Sequence, residues 1–198
     1  MLPLEVHAIL GDVALKDVTG VDLPGGGPGR TISDVRALIP PDGLLSANPA
    51  TRALFALRLW LGRVFGWDRP EHERPQTSYL SRMSQALRAR SMVPPGTMER
   101  GFRLLYLLEQ ESLAEIRNAT VHAFLCAALC EHTGGYRLYW AVYVKPSSWL
   151  TPVYMALIEP FRRFIVYPAM LGRIRRAWIA RYPYPISAST GTHIPPFR

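Results

Sequence analysis

The sequence predicts an α+β fold in which a curved antiparallel sheet wraps around one long C-terminal helix. Residues 149–181 place apolar side chains at steps of three and four, which is the period of an amphipathic helix. Several segments between 102 and 145 instead alternate with a period of two, as half-buried strands do. A helix of this length needs a large apolar partner surface. We therefore expect the sheet to grip the helix and to enclose a cavity beside it.

The C-terminal helix is expected to be bent. Pro152 suits a first-turn position, where its missing N–H costs nothing. Pro160 and Pro168 lie deeper, and each removes a backbone hydrogen bond.

Length and composition favour a soluble protein with one sizeable core. The 198 residues are 48% hydrophobic, which excludes global disorder. We expect one domain over 1–182 and a flexible tail over 183–198. Two cysteines cannot form a disulfide framework, and acids stand where a signal peptide would be apolar, so we expect a cytoplasmic protein. The sequence contains no uncharged apolar run of about 18 residues, so we expect no membrane-spanning helix.

The N-terminal half reads as one strand and two helices. The strand covers 13–23. Asp12, Asp17 and Asp22 lie in it or beside it at intervals of five residues, which fits neither one face of a strand nor one face of a helix, so we predict no joint role for them. Helices are expected at 32–39 and 49–67, followed by a polar loop at 68–76. Residues 79–100 combine a helix-like segment with a turn, and we expect 68–100 as a whole to form a lid or entry loop.

Four strands are expected further on, and one of them is ambiguous. Residues 102–110 and 113–119 alternate, and 136–145 alternate well, with an even-numbered core face and a wetter odd-numbered face. The alanines and leucines of 121–132 favour a helix. Its position between strand-like neighbours favours a strand, and we expect a strand reached by a hairpin turn at 132–136.

Residues His122, Cys126, Cys130 and His132 suggest a metal site only if their segment is helical. On a strand, His122 and Cys126 are about 13 Å apart and cannot share an ion. We therefore predict no metal and no cofactor. No GxSxG motif occurs, and nucleophilic catalysis has no specific support.

The best acid–base candidate is His122, expected on the inward face of its strand beside Phe124. Glu109 and Glu115 are second choices, and the alternative is a core histidine bonded to a neighbour. Aromatic side chains suit an enclosed apolar pocket, although such residues are commonly core. The candidate ligand-binding residues are Tyr106, Phe124, Trp140, Tyr154 and Phe161.

Positive charge is concentrated at the C-terminal end. Of a net charge of +8, seven arginines lie from Pro160 onward without any acid. Such a helix could meet an anionic membrane, or it could be a solvated face. We expect no nucleic-acid partner, and the oligomeric state stays open.

Two stretches, TPVYMALIEPFRRFIV and AEIRNATVHAFLCAA, carry a family resemblance. They resemble parts of a bacterial family of unknown function in the START/Bet v 1-like, helix-grip superfamily. TPVYMALIEPFRRFIV resembles the end of that family, with Arg162 where the family tends to have histidine. AEIRNATVHAFLCAA matches an upstream motif through Glu115 and His122, whereas Thr120 and Leu125 replace an expected acid and arginine. The resemblance covers roughly 105–176.

The resemblance implies an antiparallel sheet gripping the last helix around a cavity. Members of the superfamily bind lipids, sterols and polyketides, and some catalyse cyclisation or dehydration. We expect this protein to bind an apolar or polyketide-like small molecule. One alternative is a cyclase or dehydratase of secondary metabolism that uses His122 or a pocket tyrosine as its acid–base catalyst. The other is anionic membrane binding through Arg162 to Arg181.

Overall fold

A computed structural model describes residues 3–39, 77–117, 121–146 and 151–183 of the chain. The predicted helix at 49–67, the predicted loop at 68–76 and residues 184–198 of the predicted tail lie outside these ranges. In the described part, no helix is long and apolar enough to cross a bilayer.

Short helices flank the first strand and precede the main sheet. The first half contains α1 (Val6–Ile9), β1 (Ala14–Pro24), α2 (Ile32–Ala37), a 3-10 turn (Tyr79–Arg82) and α3 (Gln85–Arg90). The expected α2 is confirmed. Its capping residue Thr31 donates its backbone N–H to the Asp34 carboxylate at 2.9 Å, which closes the first turn.

The sheet has six antiparallel strands in the order β1-β6-β5-β4-β3-β2. The remaining strands are β2 (Met98–Glu99), β3 (Phe102–Leu107), β4 (Glu111–Arg117), β5 (Val121–His132) and β6 (Gly135–Pro146). The ambiguous segment 121–132 is therefore a strand, as expected. It joins β6 through a tight hairpin that pairs His132 with Gly135.

The predicted alternation of β3 is wrong, because a bulge interrupts it. Leu104 pairs with Ala114 and Tyr106 pairs with Leu113, so Leu105 is an extra residue. Tyr106 consequently points to the opposite side of the sheet from Leu104.

Both sides of the sheet are covered, by different elements. On one side, which we call the helix face, Leu138 and Val142 pack with α2 and with Ile174 and Trp178 of the last helix. On the other side, which we call the N-terminal face, Phe124, Cys126 and Tyr143 pack with α1, the 3-10 turn and α3. The core prediction for the even-numbered face of β6 is confirmed. Its odd-numbered face is drier than predicted at Tyr143, which is buried.

The long C-terminal helix is confirmed and contains a π-helical turn. It consists of α4 (Thr151–Phe161), the π turn (Arg162–Val166) and α5 (Tyr167–Arg181). The Tyr167 N–H reaches back five residues to the Arg162 carbonyl. Because Pro168 has no N–H to donate, a regular α-helical ladder cannot continue through this point. Pro168 instead stands at the start of α5.

Candidate functional site

A buried carboxylate–imidazole pair lies on the N-terminal face. His122 Nε2 is 2.9 Å from Glu115 Oε2, and both side chains are 1% exposed. The same carboxylate accepts the Ser78 hydroxyl and, at 3.2 Å, the Tyr79 backbone N–H. The His122 ring stacks on Phe124 at 4.4 Å between centroids. The pair therefore ties the start of the 3-10 turn to strands β4 and β5.

The hydrogen bonds keep Glu115 ionised despite its burial. Burial by itself raises the pKa of Glu115, but the bonds from His122, Ser78 and the Tyr79 amide together lower that pKa below its ordinary value. An ionised carboxylate only accepts hydrogen bonds, so His122 Nε2 carries the proton between the two groups.

A second buried carboxylate, Glu111, anchors the N-terminal segment. It accepts the backbone N–H groups of Glu5 at 2.9 Å and Val6 at 3.0 Å, at the start of α1. It also accepts the Tyr106 hydroxyl at 2.5 Å. Burial, followed by the nearby Glu111 charge, raises the pKa values of Tyr106 and Cys126, so both stay neutral near pH 7.

The expectation that His122 faces the C-terminal helix is wrong. His122 and Phe124 lie on the N-terminal face, since Phe124 is paired with Tyr143 and clusters with α1. Tyr106 lies there too because of the β3 bulge. The structure therefore brings three of the candidate residues together, but on the side of the sheet away from the helix. A cavity between sheet and helix cannot use His122 as its acid–base group.

The remaining candidates are distributed differently. Trp140 lies on the helix face, opposite Ala127. Phe161 is 37% exposed on the C-terminal helix. Tyr154 belongs to α4, and its side chain lies outside the described part. Glu109 is exposed in the turn between β3 and β4.

The helix face carries an apolar region that the described helices cover only partly. Its sheet residues include the small side chains of Ala114 and Ala123 beside Leu125 and Trp140. All four are half-buried, whereas Leu138 and Val142 on the same face are buried. Ile158 and Val166 of the C-terminal helix are likewise partly buried and pack against the core of this face. This arrangement can accommodate apolar atoms on the sheet.

A polar cluster borders this region where β1 meets the π turn. Arg162 Nη2 lies 2.6 Å from Asp17 Oδ2, and Arg162 Nε donates to the Tyr167 hydroxyl at 2.9 Å. Asp17 Oδ1 is buried and has no hydrogen-bond partner among the described residues. Burial raises the pKa of Asp17, with Arg162 opposing it, and raises the pKa of Tyr167 to about 12.

Sequence reasoning missed this cluster. The spacing of Asp17 from Asp12 and Asp22 fits no shared face, and Arg162 is one of seven arginines from Pro160 onward, so neither pattern predicts their contact. The available signal was Arg162 itself, which stands where the resembled family tends to have histidine. Among the described residues, no three His, Cys, Asp or Glu side chains are grouped as a metal-binding set.

A family model described as "Protein of unknown function (DUF2867)" matches residues 9–169. The chain belongs to this family. The DUF2867 match spans β1 through the beginning of α5, so it includes both Asp17 and the π turn as well as the Glu115–His122 pair. A comparison with curated proteins finds no match to this DUF2867 protein.

Proposed function

We propose that the protein encloses an apolar or polyketide-like small molecule between the helix face and the C-terminal helix. The proposal includes membership of the START/Bet v 1-like superfamily, with which the curved antiparallel sheet and long last helix are compatible. One observation carries the function: the half-buried apolar region around Leu125 and Trp140, next to two alanines, on the face that the helix covers.

The energetics favour apolar binding at this place. Removing about 200 Å² of ligand hydrocarbon from water stabilises a complex by about 5 kcal/mol before the cost of association. Alanine side chains project only one carbon from the sheet. They leave space above the strand that a leucine at the same position would fill.

The test combines identification with occlusion. Native mass spectrometry of protein purified from its own host should find a co-purifying small molecule. Titration with the apolar fluorescent probe anilinonaphthalene sulfonate should give saturable binding to the wild type. Ala114→Leu, on the helix face, should weaken that binding about tenfold or more, because the added carbons occupy the proposed site.

The matched control is Ala141→Leu, the same substitution on β6, at a position on the N-terminal face of the sheet. It should leave probe affinity within about twofold of the wild type. Equal binding by wild type and Ala114→Leu would contradict the proposal, as would an equal loss in both variants.

A second candidate function is contact with an anionic membrane surface. Phe164 is 73% exposed on the C-terminal helix beside the exposed Arg163. An aromatic side chain flanked by arginine suits the lipid interface. Sedimentation with phosphatidylglycerol vesicles should weaken with salt and should weaken in Phe164→Ser. Val18→Ser, which removes another exposed apolar side chain, is the control, and no sedimentation at low salt would reject this function.

A further inference from the structure

Asp17 begins a row of directly paired residues that crosses the helix face. Asp17 is paired with Val142, Val142 with Leu125, and Leu125 with Ala114. Residues paired directly across antiparallel strands lie on one face of the sheet. With strands about 4.8 Å apart, the row extends about 14 Å from the carboxylate to Ala114. The row therefore has a polar end at Asp17, next to the apolar region where the ligand is proposed to bind.

The carboxylate of Asp17 is only half engaged. Oδ2 lies 2.6 Å from Arg162 Nη2 and 3.4 Å from the Tyr167 hydroxyl. Oδ1 is buried, with no partner in the described ranges. A buried acceptor without a donor is unfavourable, and such groups in folded proteins commonly receive a hydrogen bond from a bound molecule or water.

The arginine is held on the Oδ2 side of the carboxylate. Both Arg162 Nε and Nη2 donate to the Tyr167 hydroxyl, and Nη2 also reaches Asp17 Oδ2. Tyr167 is buried and anchors this arrangement within the core. One buried acceptor oxygen, beside the Arg162–Asp17 pair, thus lies at the end of the apolar row.

We propose that Asp17 Oδ1 accepts a hydrogen bond from a hydroxyl or amine at one end of the enclosed apolar molecule. The ligand class is then an amphiphile with a terminal donor, whose hydrocarbon lies over the half-buried Leu125 and Ala114. A carboxylate at that end is disfavoured, since it would oppose the Asp17 carboxylate. This inference rests on the proposed function, and it adds the polarity and the orientation of the ligand.

The test compares two probes that differ only in the donor. 1-Decanol and its methyl ether have the same hydrocarbon chain, but only the alcohol can donate to Asp17. Displacement of anilinonaphthalene sulfonate from the wild-type protein should show the alcohol binding about tenfold more tightly, as expected for one hydrogen bond to a charged group. This comparison needs no variant and so does not depend on a substituted protein folding.

Variants then assign the effect to the carboxylate. Asp17→Ala should reduce the preference for the alcohol to about twofold or less. Asp22→Ala, on the same strand but 62% exposed, should keep the full preference. Decylamine should bind like the alcohol, and decanoate should bind more weakly than either.

The outcomes separate the two proposals. Equal binding of alcohol and ether, both weakened by Ala114→Leu, would overturn the role of Asp17 and leave the apolar site standing. An unchanged alcohol preference in Asp17→Ala would do the same. Absence of binding by every probe would overturn both proposals.

Discussion

At the scale of single residues, the Glu115–His122 pair determines how the 3-10 turn sits on the sheet. The carboxylate accepts bonds from Ser78, Tyr79 and His122, which come from two separate parts of the chain. The side chains of Glu115 and His122 are both 1% exposed, so no substrate reaches them in this conformation. The geometry fits the alternative interpretation of His122, a core histidine bonded to a neighbour.

Removing His122 should destabilise the protein strongly. His122→Ala takes a hydrogen bond from a buried carboxylate and leaves a cavity beside Phe124, which together cost about 3 kcal/mol in the free energy of unfolding. Urea unfolding monitored by circular dichroism measures it. His132→Ala, on the same strand but exposed, should change that free energy by less than about 0.5 kcal/mol. A similar small change in His122→Ala would contradict this account.

The same carboxylate should make stability depend on acid pH. Because folding lowers the pKa of Glu115 from its ordinary value of 4.5, its contribution is complete above that value. The contribution is lost as the pH falls through the lower pKa of the folded state. Glu115→Gln should be less stable than the wild type at pH 7, and the difference should shrink between pH 5 and pH 3. A difference that stays constant over this range would refute the linkage.

The residue pairs differ in how far they could be predicted. Glu115 and His122 were both singled out, and pairing of neighbouring strands brings them together once both segments are strands. Asp17 and Arg162 are separated by 145 positions, and they meet only because β6, which precedes the last helix, pairs with β1 at the start of the chain. Local pattern carries no information about that return.

At the scale of elements, the last helix is held by the loop that follows β1. Trp178 is fully buried, and its Nε1 donates to the Pro24 carbonyl at 3.1 Å. The adjoining Gly26 has a φ of +94°, and a Cβ there would lie 2.7 Å from the Trp178 ring. The glycine-rich turn therefore allows the loop to close over the indole.

A methyl group at this point should loosen the helix. Gly26→Ala combines a strained left-handed backbone with a clash against Trp178, and we expect a loss of about 2–4 kcal/mol in the free energy of unfolding. Gly29→Ala has a similar φ of +75° with nothing within 4 Å, so it should lose only about 1 kcal/mol. Thermal or urea unfolding of both variants measures the difference. Equal losses would show that the contact with Trp178 is unimportant.

Element type was more predictable than element detail. The period of the apolar residues identified the helix and the strands, and the prolines indicated that the helix is irregular. The π turn between Pro160 and Pro168 depends on which carbonyl accepts the hydrogen bond of the Tyr167 amide, and the pattern of side chains does not predict this acceptor. The segment 79–100, expected to contain a helix and a turn, forms instead a 3-10 turn, a short helix and a two-residue strand.

At the scale of the whole molecule, one sheet supports two apolar layers. Neither layer has a separate core, because each is completed by side chains of the same strands β4, β5 and β6. The three acids in and before β1 add long-range ties, with Asp12 paired to Arg82, Asp17 to Arg162 and Asp22 to Arg137. The three evenly spaced acids therefore have no joint role, because each pairs with a different arginine.

The two layers should unfold together. Leu87→Ala, which removes a buried side chain of α3, should cost about 3 kcal/mol. Native-state hydrogen exchange should show the same loss of protection in amides of α5, on the far side of the sheet. Met98→Ala, at a 61% exposed position, is the control and should change neither. Undiminished protection of α5 in Leu87→Ala would show two independent units.

The α+β class and the packing of the last helix against the sheet were predictable, but the second layer was not. The odd-numbered side of β6 mixes tyrosines with Arg137 and Lys145, a pattern typical of a solvated face. Tyrosine suits either environment, and the covering elements come from distant parts of the chain. The prediction that His122 faces the last helix is wrong for the same reason, since a sheet covered on both faces has two inward sides.

The extra residue at Leu105 has a consequence for comparing this chain with its relatives. An ungapped alignment to a homologue lacking the bulge would match Tyr106 with a position on the reverse side of the strand. Inferring shared chemistry from such a column would compare side chains that inhabit different compartments. Structural superposition, with one inserted position allowed between 104 and 106, gives the correct equivalence.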